Sequence, residues 1–222
     1  LSDKEVTTEN VNGRLFDVHT IRKVQLYPLQ PGRFIIDPME VNNRVEFSRS
    51  IVNKKTEQEI AEGMLGAGDD EPAPEGTVVF ELPATTAPLT IEVKPLPEKT
   101  KPALFNGAVG AFAITAGLAE QQLALNQQGF LEIILTGSGN FTQLTAPAIQ
   151  WPEGLESFEP AITDELDKYN TPLSGKRVFR FPFVASTAGT YTIPAIRFSF
   201  FDKDSNKYRE IQTQSIEVTV SK

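Results

Sequence analysis

Hydrophobic residues recur at every second position in at least five stretches of this chain, the period of a strand with one buried face. Phe179, Phe181 and Phe183 alternate with Val178, Arg180 and Pro182. Ile196, Phe198 and Phe200 are separated by Arg197 and Ser199. The sets Ile216, Val218, Val220, then Leu131, Ile133, Leu135, then Leu89, Ile91, Val93 follow the same rule. No segment sustains the 3.6-residue period of a helix, and Pro and Gly punctuate short runs. The pattern predicts an all-β chain.

Parts of that pattern occur twice. Val24–Pro38 reads as a strand, a turn at Gly32, an aromatic two residues later, then Ile and Pro. Phe181–Pro194 repeats the order around Gly189, Tyr191, Ile193 and Pro194. Upstream, Asn12-Gly13-Arg14-Leu15-Phe16 parallels Ser174-Gly175-Lys176-Arg177-Val178-Phe179. Downstream, Ile91-Glu92-Val93 parallels Ile216-Glu217-Val218 as the last strand of each unit. Two related β modules are therefore expected, over residues 1–95 and 103–222. Residues 96–102 join them, in a Pro95–Pro102 stretch that proline keeps stiff and extended. Far more strand precedes Gly175 than precedes Gly13, so residue 1 is expected to fall part-way through a module.

Charge adds one feature. The 222 residues carry a net charge of −8. Glu57, Glu59, Glu62, Asp69, Asp70, Glu71 and Glu75 follow one another without an intervening Lys or Arg. They lie in an insertion of the first unit, residues 53–76, read as a solvated loop or as a strip for a basic partner. Ile60, Met64 and Leu65 keep the partner reading open. A surplus of acid argues against a nucleic-acid surface, whose affinity comes from Lys and Arg. Without cysteine and with His19 as the only histidine, thiolate sites and multi-histidine metal sites are excluded. No apolar run reaches the length of a membrane-spanning helix.

Few residues offer chemistry. Asp202, Asp204 and Asn206 alternate like the start of a calcium loop, yet Lys207 and Thr213 occupy the places that need Gly and an acid. A strand connection built from turn residues is the better account. Asp164 and Glu165 have no glycosidase spacing. His19 has no Ser/Asp arrangement near it and suits a surface or edge position, just before a strand expected over Ile21–Leu26. The small apolar run Gly107–Gly117 reads as a buried first strand whose glycines let backbones approach. Tyr191 fits a tyrosine corner, where the phenol bonds backbone. Trp151 offers a stacking platform for carbohydrate or a core ring. No catalytic, cofactor-binding or metal-binding residue is assigned, and no cofactor is expected.

Several landmarks resemble one family. Lys101–Phe112, with Phe105-Asn106-Gly107, looks like the opening of an immunoglobulin-like module of the BatD, or "oxygen tolerance", family. Gly137-Ser138-Gly139-Asn140-Phe141, Pro147, Trp151-Pro152-Glu153-Gly154-Leu155, Ala188–Pro194 and Phe200-Phe201-Asp202 resemble its next landmarks. Leu26–Gly32 fits a preceding module. The resemblance implies tandem immunoglobulin-like β-sandwiches in the periplasm of a Bacteroides-like bacterium, anchored to the inner membrane by segments outside this fragment. It also implies neighbours with von Willebrand A domains and TPR repeats, and no catalytic residues. A non-catalytic scaffold of an aerotolerance complex is the function expected, with carbohydrate or other ligand binding as the alternative. In such an envelope protein, the Asn140-Phe141-Thr142 sequon would not be glycosylated.

Overall fold

The computed structural model describes residues 6–48 and 77–222, so the acidic insertion 53–76 lies outside the described residues. In the first half run β1 Val6–Val11, β2 Arg14–His19, β3 Gly32–Ile36, β4 Glu40–Ser48, β5 Thr77–Thr85 and β6 Leu89–Val93. Next come β7 Gly110–Leu118, β8 Gln122–Ala124, β9 Gln128–Gly139, β10 Leu155–Ser157 and β11 Ala161–Asp167. The chain continues with β12 Ser174–Ala185, β13 Gly189–Ile193, β14 Arg197–Asp202, β15 Lys207–Gln212 and β16 Ile216–Ser221. Two compact units result. Pro28–Pro95 forms one, and Leu1–Tyr27 groups with Leu96–Lys222 in the other.

The larger unit is a β-sandwich. One layer has the order β10–β12–β9–β7, with β11 also paired to β12; the other holds β13–β16–β8 and the β14–β15 hairpin. Antiparallel register sets Phe179 opposite Ile133 and Phe181 opposite Leu131, and all four are buried. Ile193, Phe198, Phe200, Val218 and Val220 join the same core from the second layer. Each fully buried Phe or Leu contributes roughly 1.5–3 kcal/mol, and this alternation is what directs them inward. Phe112 of β7 links the layers, edge-on to Phe141 at 5.4 Å, Phe198 at 6.0 Å and Phe200 at 5.6 Å.

Two glycines bring β7 close enough for that. Gly137 and Gly139 of β9 stand opposite Phe112 and Gly110, with φ of +147° and +152°. A Cβ at Gly137 would lie 2.0 Å from the Ala111 carbonyl oxygen, and one at Gly139 would lie 2.3 Å from that of Val109. The run Gly107–Gly117 thus supplies close approach, but its strand is buried on one face only, with Ala111 and Ala113 turned to solvent.

The repeat is visible in the hydrogen bonds. Gly189, Tyr191 and Ile193 oppose Val220, Val218 and Ile216, just as Gly32, Phe34 and Ile36 oppose Val93, Ile91 and Leu89. Ile91 therefore corresponds to Val218 rather than Ile216. The slip of two residues keeps every side chain on its face, which is why the sequence motif conceals it. Beyond each pair sits the same clasp. Thr213 N donates to Ile196 O at 3.0 Å, and Ile196 N donates to Thr213 Oγ1 at 3.0 Å; Thr86 N and Met39 O at 2.9 Å, with Met39 N and Thr86 Oγ1 at 2.8 Å, reproduce it. The β4–β5 pair then matches β14–β15, and β1–β2 matches β11–β12.

Three expectations change. Residues 20–28 pair with no strand, so the strand expected over Ile21–Leu26 is absent; instead the Tyr27 phenol accepts a bond from Leu173 N at 2.9 Å. The Pro95–Pro102 stretch is not extended throughout, because Glu98–Thr100 form a 3-10 turn closed by Lys101 N on Glu98 O. Phe34, Ile36 and Leu89 remain 38%, 39% and 58% exposed. Among the described residues, Pro28–Pro95 holds strand pairs and no counterpart of the β9–β12 layer that covers their equivalents.

Gly137→Ala is expected to destabilise the larger unit by more than about 2 kcal/mol, through strain and backbone collision. Gly117→Ala, where a Cβ meets nothing within 4 Å, should change stability by less than about 1 kcal/mol. Urea unfolding followed by fluorescence of Trp151, the single tryptophan, separates the two.

Candidate functional site

The acidic turn comes first. Asp202 ends β14 and Lys207 begins β15, and the residues between them close the hairpin, with Asn206 at φ +54°. The Asp202 carboxylate accepts bonds from Asp204 N (3.0 Å), Ser205 N (3.3 Å), Ser205 Oγ (2.8 Å) and Arg209 Nε (2.7 Å). The Ser205 hydroxyl, then Arg209, hold its carboxyl well below the usual carboxylate range. Lys203 Nζ lies 2.8 Å from Asp204. The oxygens a cation would need are thus occupied by the turn itself. Among the described residues, no group of three His, Cys, Asp or Glu could hold a metal.

Asn140, directly after β9, is nearly fully buried and forms the hub of a hydrogen-bond cluster. Its Oδ1 accepts from Val109 N at 2.7 Å, and its Nδ2 donates to Gly107 O at 2.8 Å and Gln143 Oε1 at 2.7 Å. Its own N–H donates to Val109 O at 3.1 Å. One amide side chain therefore ties residues 107–109 to the end of β9. The two most specific sequence motifs, around Phe105–Phe112 and Gly139-Asn140, meet in this clamp. An Asn140 inside a buried clamp is also inaccessible to a glycan.

The aromatic candidates serve packing. Tyr191 Oη donates to Thr187 O at 2.7 Å, the geometry of a tyrosine corner. Its ring leans on Gly154, where an added Cβ would lie 2.9 Å away. Trp151 is half-buried, with its ring 5.5 Å from Phe183 and 6.3 Å from Phe181. Both neighbours are core residues, so the indole extends the core rather than an exposed aromatic platform. His19 closes β2 opposite Val6, exposed to solvent.

Sequence reasoning missed an ion pair. Continuing the inward row of Phe183, Phe181 and Phe179 brings Arg177 inward, and it is 9% exposed. Asp164 stands directly opposite on β11. The guanidinium forks onto its carboxylate, Nε to Oδ1 at 2.6 Å and Nη2 to Oδ2 at 2.7 Å, while Nη1 reaches Leu144 O at 2.7 Å. Next to it, Glu165 pairs with Lys176 at 3.0 Å. The signal was present in the phase of the row, masked by the expectation that inward positions are apolar. Asp164 and Glu165 are thus structural partners rather than a catalytic pair.

Hydrogen bonding to Arg177 lowers the Asp164 pKa below the ordinary 3.8. A depressed carboxylate contributes stability above its unfolded pKa and loses it as pH falls through the folded value. Stability should therefore decline below about pH 4, and Asp164→Asn should flatten that limb of a denaturation series. Arg177→Ala should cost about 3 kcal/mol, whereas Arg177→Met with Asp164→Leu should come within about 1 kcal/mol of the parent protein.

Residues 116–220 match the family model described as the BatD DUF11-like domain. No curated protein and no solved structure matches the chain. The matched span runs from within β7 into β16 and includes Asn140, Arg177 and the tyrosine corner. Over these residues, the chain is similar to the BatD family.

Proposed function

We propose that the chain is a non-catalytic scaffold, a protein-interaction segment of an aerotolerance-type membrane assembly in the cell envelope. The observation that carries this reading is that its chemistry-bearing side chains are spent on internal bonds while its sheet edges stay open. Asp202, Asp164, Asn140 and Tyr191 are each engaged within the fold. Among the described residues, β7 and β11 flank their sheet with no further strand outside them. An exposed edge accepts a partner's strand, backbone bonds supplying affinity and alternate side chains selectivity.

The repeated clasps support tandem modules over residues 1–95 and 103–222, with 96–102 between them. The likeness of residues 116–220 to the BatD domain supports a periplasmic position, held at the inner membrane by segments outside these residues. Among the described residues, no helix is long and apolar enough to cross a membrane. Proteins with von Willebrand A domains or TPR repeats are the partners proposed.

A crosslinking pull-down of the full-length protein from its host, with residues 1–222 as competitor, tests the scaffold. Recovery of those neighbours should fall as the fragment is added. Neighbours that the fragment never displaces would place the interface elsewhere in the protein.

A further inference from the structure

Two backbone bonds fix which groups of β11 are unpaired. Gly139 N donates to Leu173 O at 2.9 Å on the β9 side of β12, and Phe158 N donates to Pro182 O at 2.9 Å on the other side. Even-numbered residues of β12 therefore turn their N–H and C=O groups away from β9. The register sets Arg180, Val178, Lys176 and Ser174 opposite Ala161, Thr163, Glu165 and Asp167. Those four residues of β11 bond back to β12, and alternation points the backbone groups of Ile162, Asp164 and Leu166 outward. Among the described residues no strand lies beyond them. Every residue of β11 is exposed except Leu166, which is partly buried.

Side chains decide what such an edge accepts. Residues 153–167 carry Glu153, Glu156, Glu159, Asp164, Glu165 and Asp167 and no Lys or Arg. Asp164 is taken by Arg177, and Glu165 shares Lys176 while its side chain stays 63% exposed. Asp167 meets only neutral donors, Tyr169 N at 2.9 Å and Asn170 Nδ2 at 2.7 Å. Alternation places Glu165 and Asp167 on one face of β11 and Ile162 and Leu166 on the other. A second copy of this edge would set acid against acid, which destabilises a strand pair. A strand with cations at every second position would meet Glu165 and Asp167, and apolar residues between them would cover Ile162 and Leu166. The opposite edge, β7, has no charged residue from Pro102 to Ala119 with which to choose.

We propose that the outer edge of β11 receives, by strand addition, an extended segment of a partner protein in which basic and apolar residues alternate. The acids act twice, repelling copies of this chain and other acidic strands while attracting the basic one. The inference rests on the scaffold reading and names the surface and the partner chemistry that reading requires.

The test is a ¹⁵N NMR titration of residues 1–222 with the blocked peptide Lys-Val-Lys-Val-Lys-Val and its Glu-for-Lys counterpart. The basic peptide should shift the amides of Ile162, Asp164 and Leu166 and slow their exchange with solvent. The Glu peptide should bind about tenfold more weakly. Ile162→Pro removes one outward N–H at an edge position where proline is tolerated, and leaves every charge in place. It should weaken the basic peptide about fivefold, with the core resonances unchanged. Shifts confined to the β7 edge, equal binding of both peptides, or undiminished binding to the Ile162→Pro protein would each overturn the proposal, the last by reducing it to charge attraction. In the pull-down, an Ile162→Pro fragment that competes as well as the parent fragment would remove the β11 edge and leave the scaffold standing. A parent fragment that binds the basic peptide at β11 but displaces no neighbour would do the reverse.

Discussion

Close contact between the backbones of β7 and β9 is the constraint on which the sandwich depends. It is possible only because Gly137 and Gly139 present no Cβ to the carbonyls of Ala111 and Val109. At that separation Phe112 reaches across to Phe198 and Phe200 in the other layer. The end of β9 is also brought within reach of residues 107–109, where Asn140 can satisfy Val109 N and Gly107 O together. Once pinned, that segment supplies Ala108 O to Phe201 N and places Phe105 edge-on to Tyr208 at 4.9 Å. Backbone approach, core filling and coverage of β14 are consecutive effects of one geometric permission.

The Arg177–Asp164 pair obeys a different logic. An inward position in a row of Phe residues would hold an apolar side chain at lower cost, because removing charges from water is expensive. The cost is offset here by a bidentate fork and by the Leu144 carbonyl, which leaves little of the guanidinium unsatisfied. The gain is positional. Leu144 belongs to the irregular connection between β9 and β10, and its carbonyl has a fixed partner only while Arg177 points inward. The ion pair thus fixes a loop as well as the edge strand β11, which two isosteric apolar residues would not do.

Much of this was legible from residue order alone, for a physical reason. Period-two alternation is imposed by burial of one face, so β6, β9, β12, β14 and β16 appear directly in the pattern. What escaped the pattern is what alternation does not encode. Ser199 and Phe201 are buried on the outer face of β14, covered through tertiary packing by a segment far away in sequence. Ile21–Leu26 has a strand-like composition, but no strand pairs with it among the described residues. Repeat motifs located the Gly32 and Gly189 pairs, yet their partner strands were misaligned by two residues because that slip preserves face. Candidate chemistry was legible as residue types only; whether Asp202 or Asp164 was free or engaged depended on neighbours contributed by other strands.

The repeat finally bears on where such a scaffold can diversify. The register of β3–β6 and β13–β16 and the paired clasps at Met39–Thr86 and Ile196–Thr213 leave little freedom within the strands. At the tip of the following hairpin the halves part. Residues 203–206 turn tightly on Asp202, whereas residues 49–76, with their run of acids, occupy the corresponding place between β4 and β5. Lengthening a connection by this amount costs only about 2 kcal/mol in loop closure, since the penalty grows with the logarithm of length. A strand insertion of the same size would break the register of every neighbouring strand. The hairpin tip is therefore the place where charge can be added to this fold while the clasps keep their geometry.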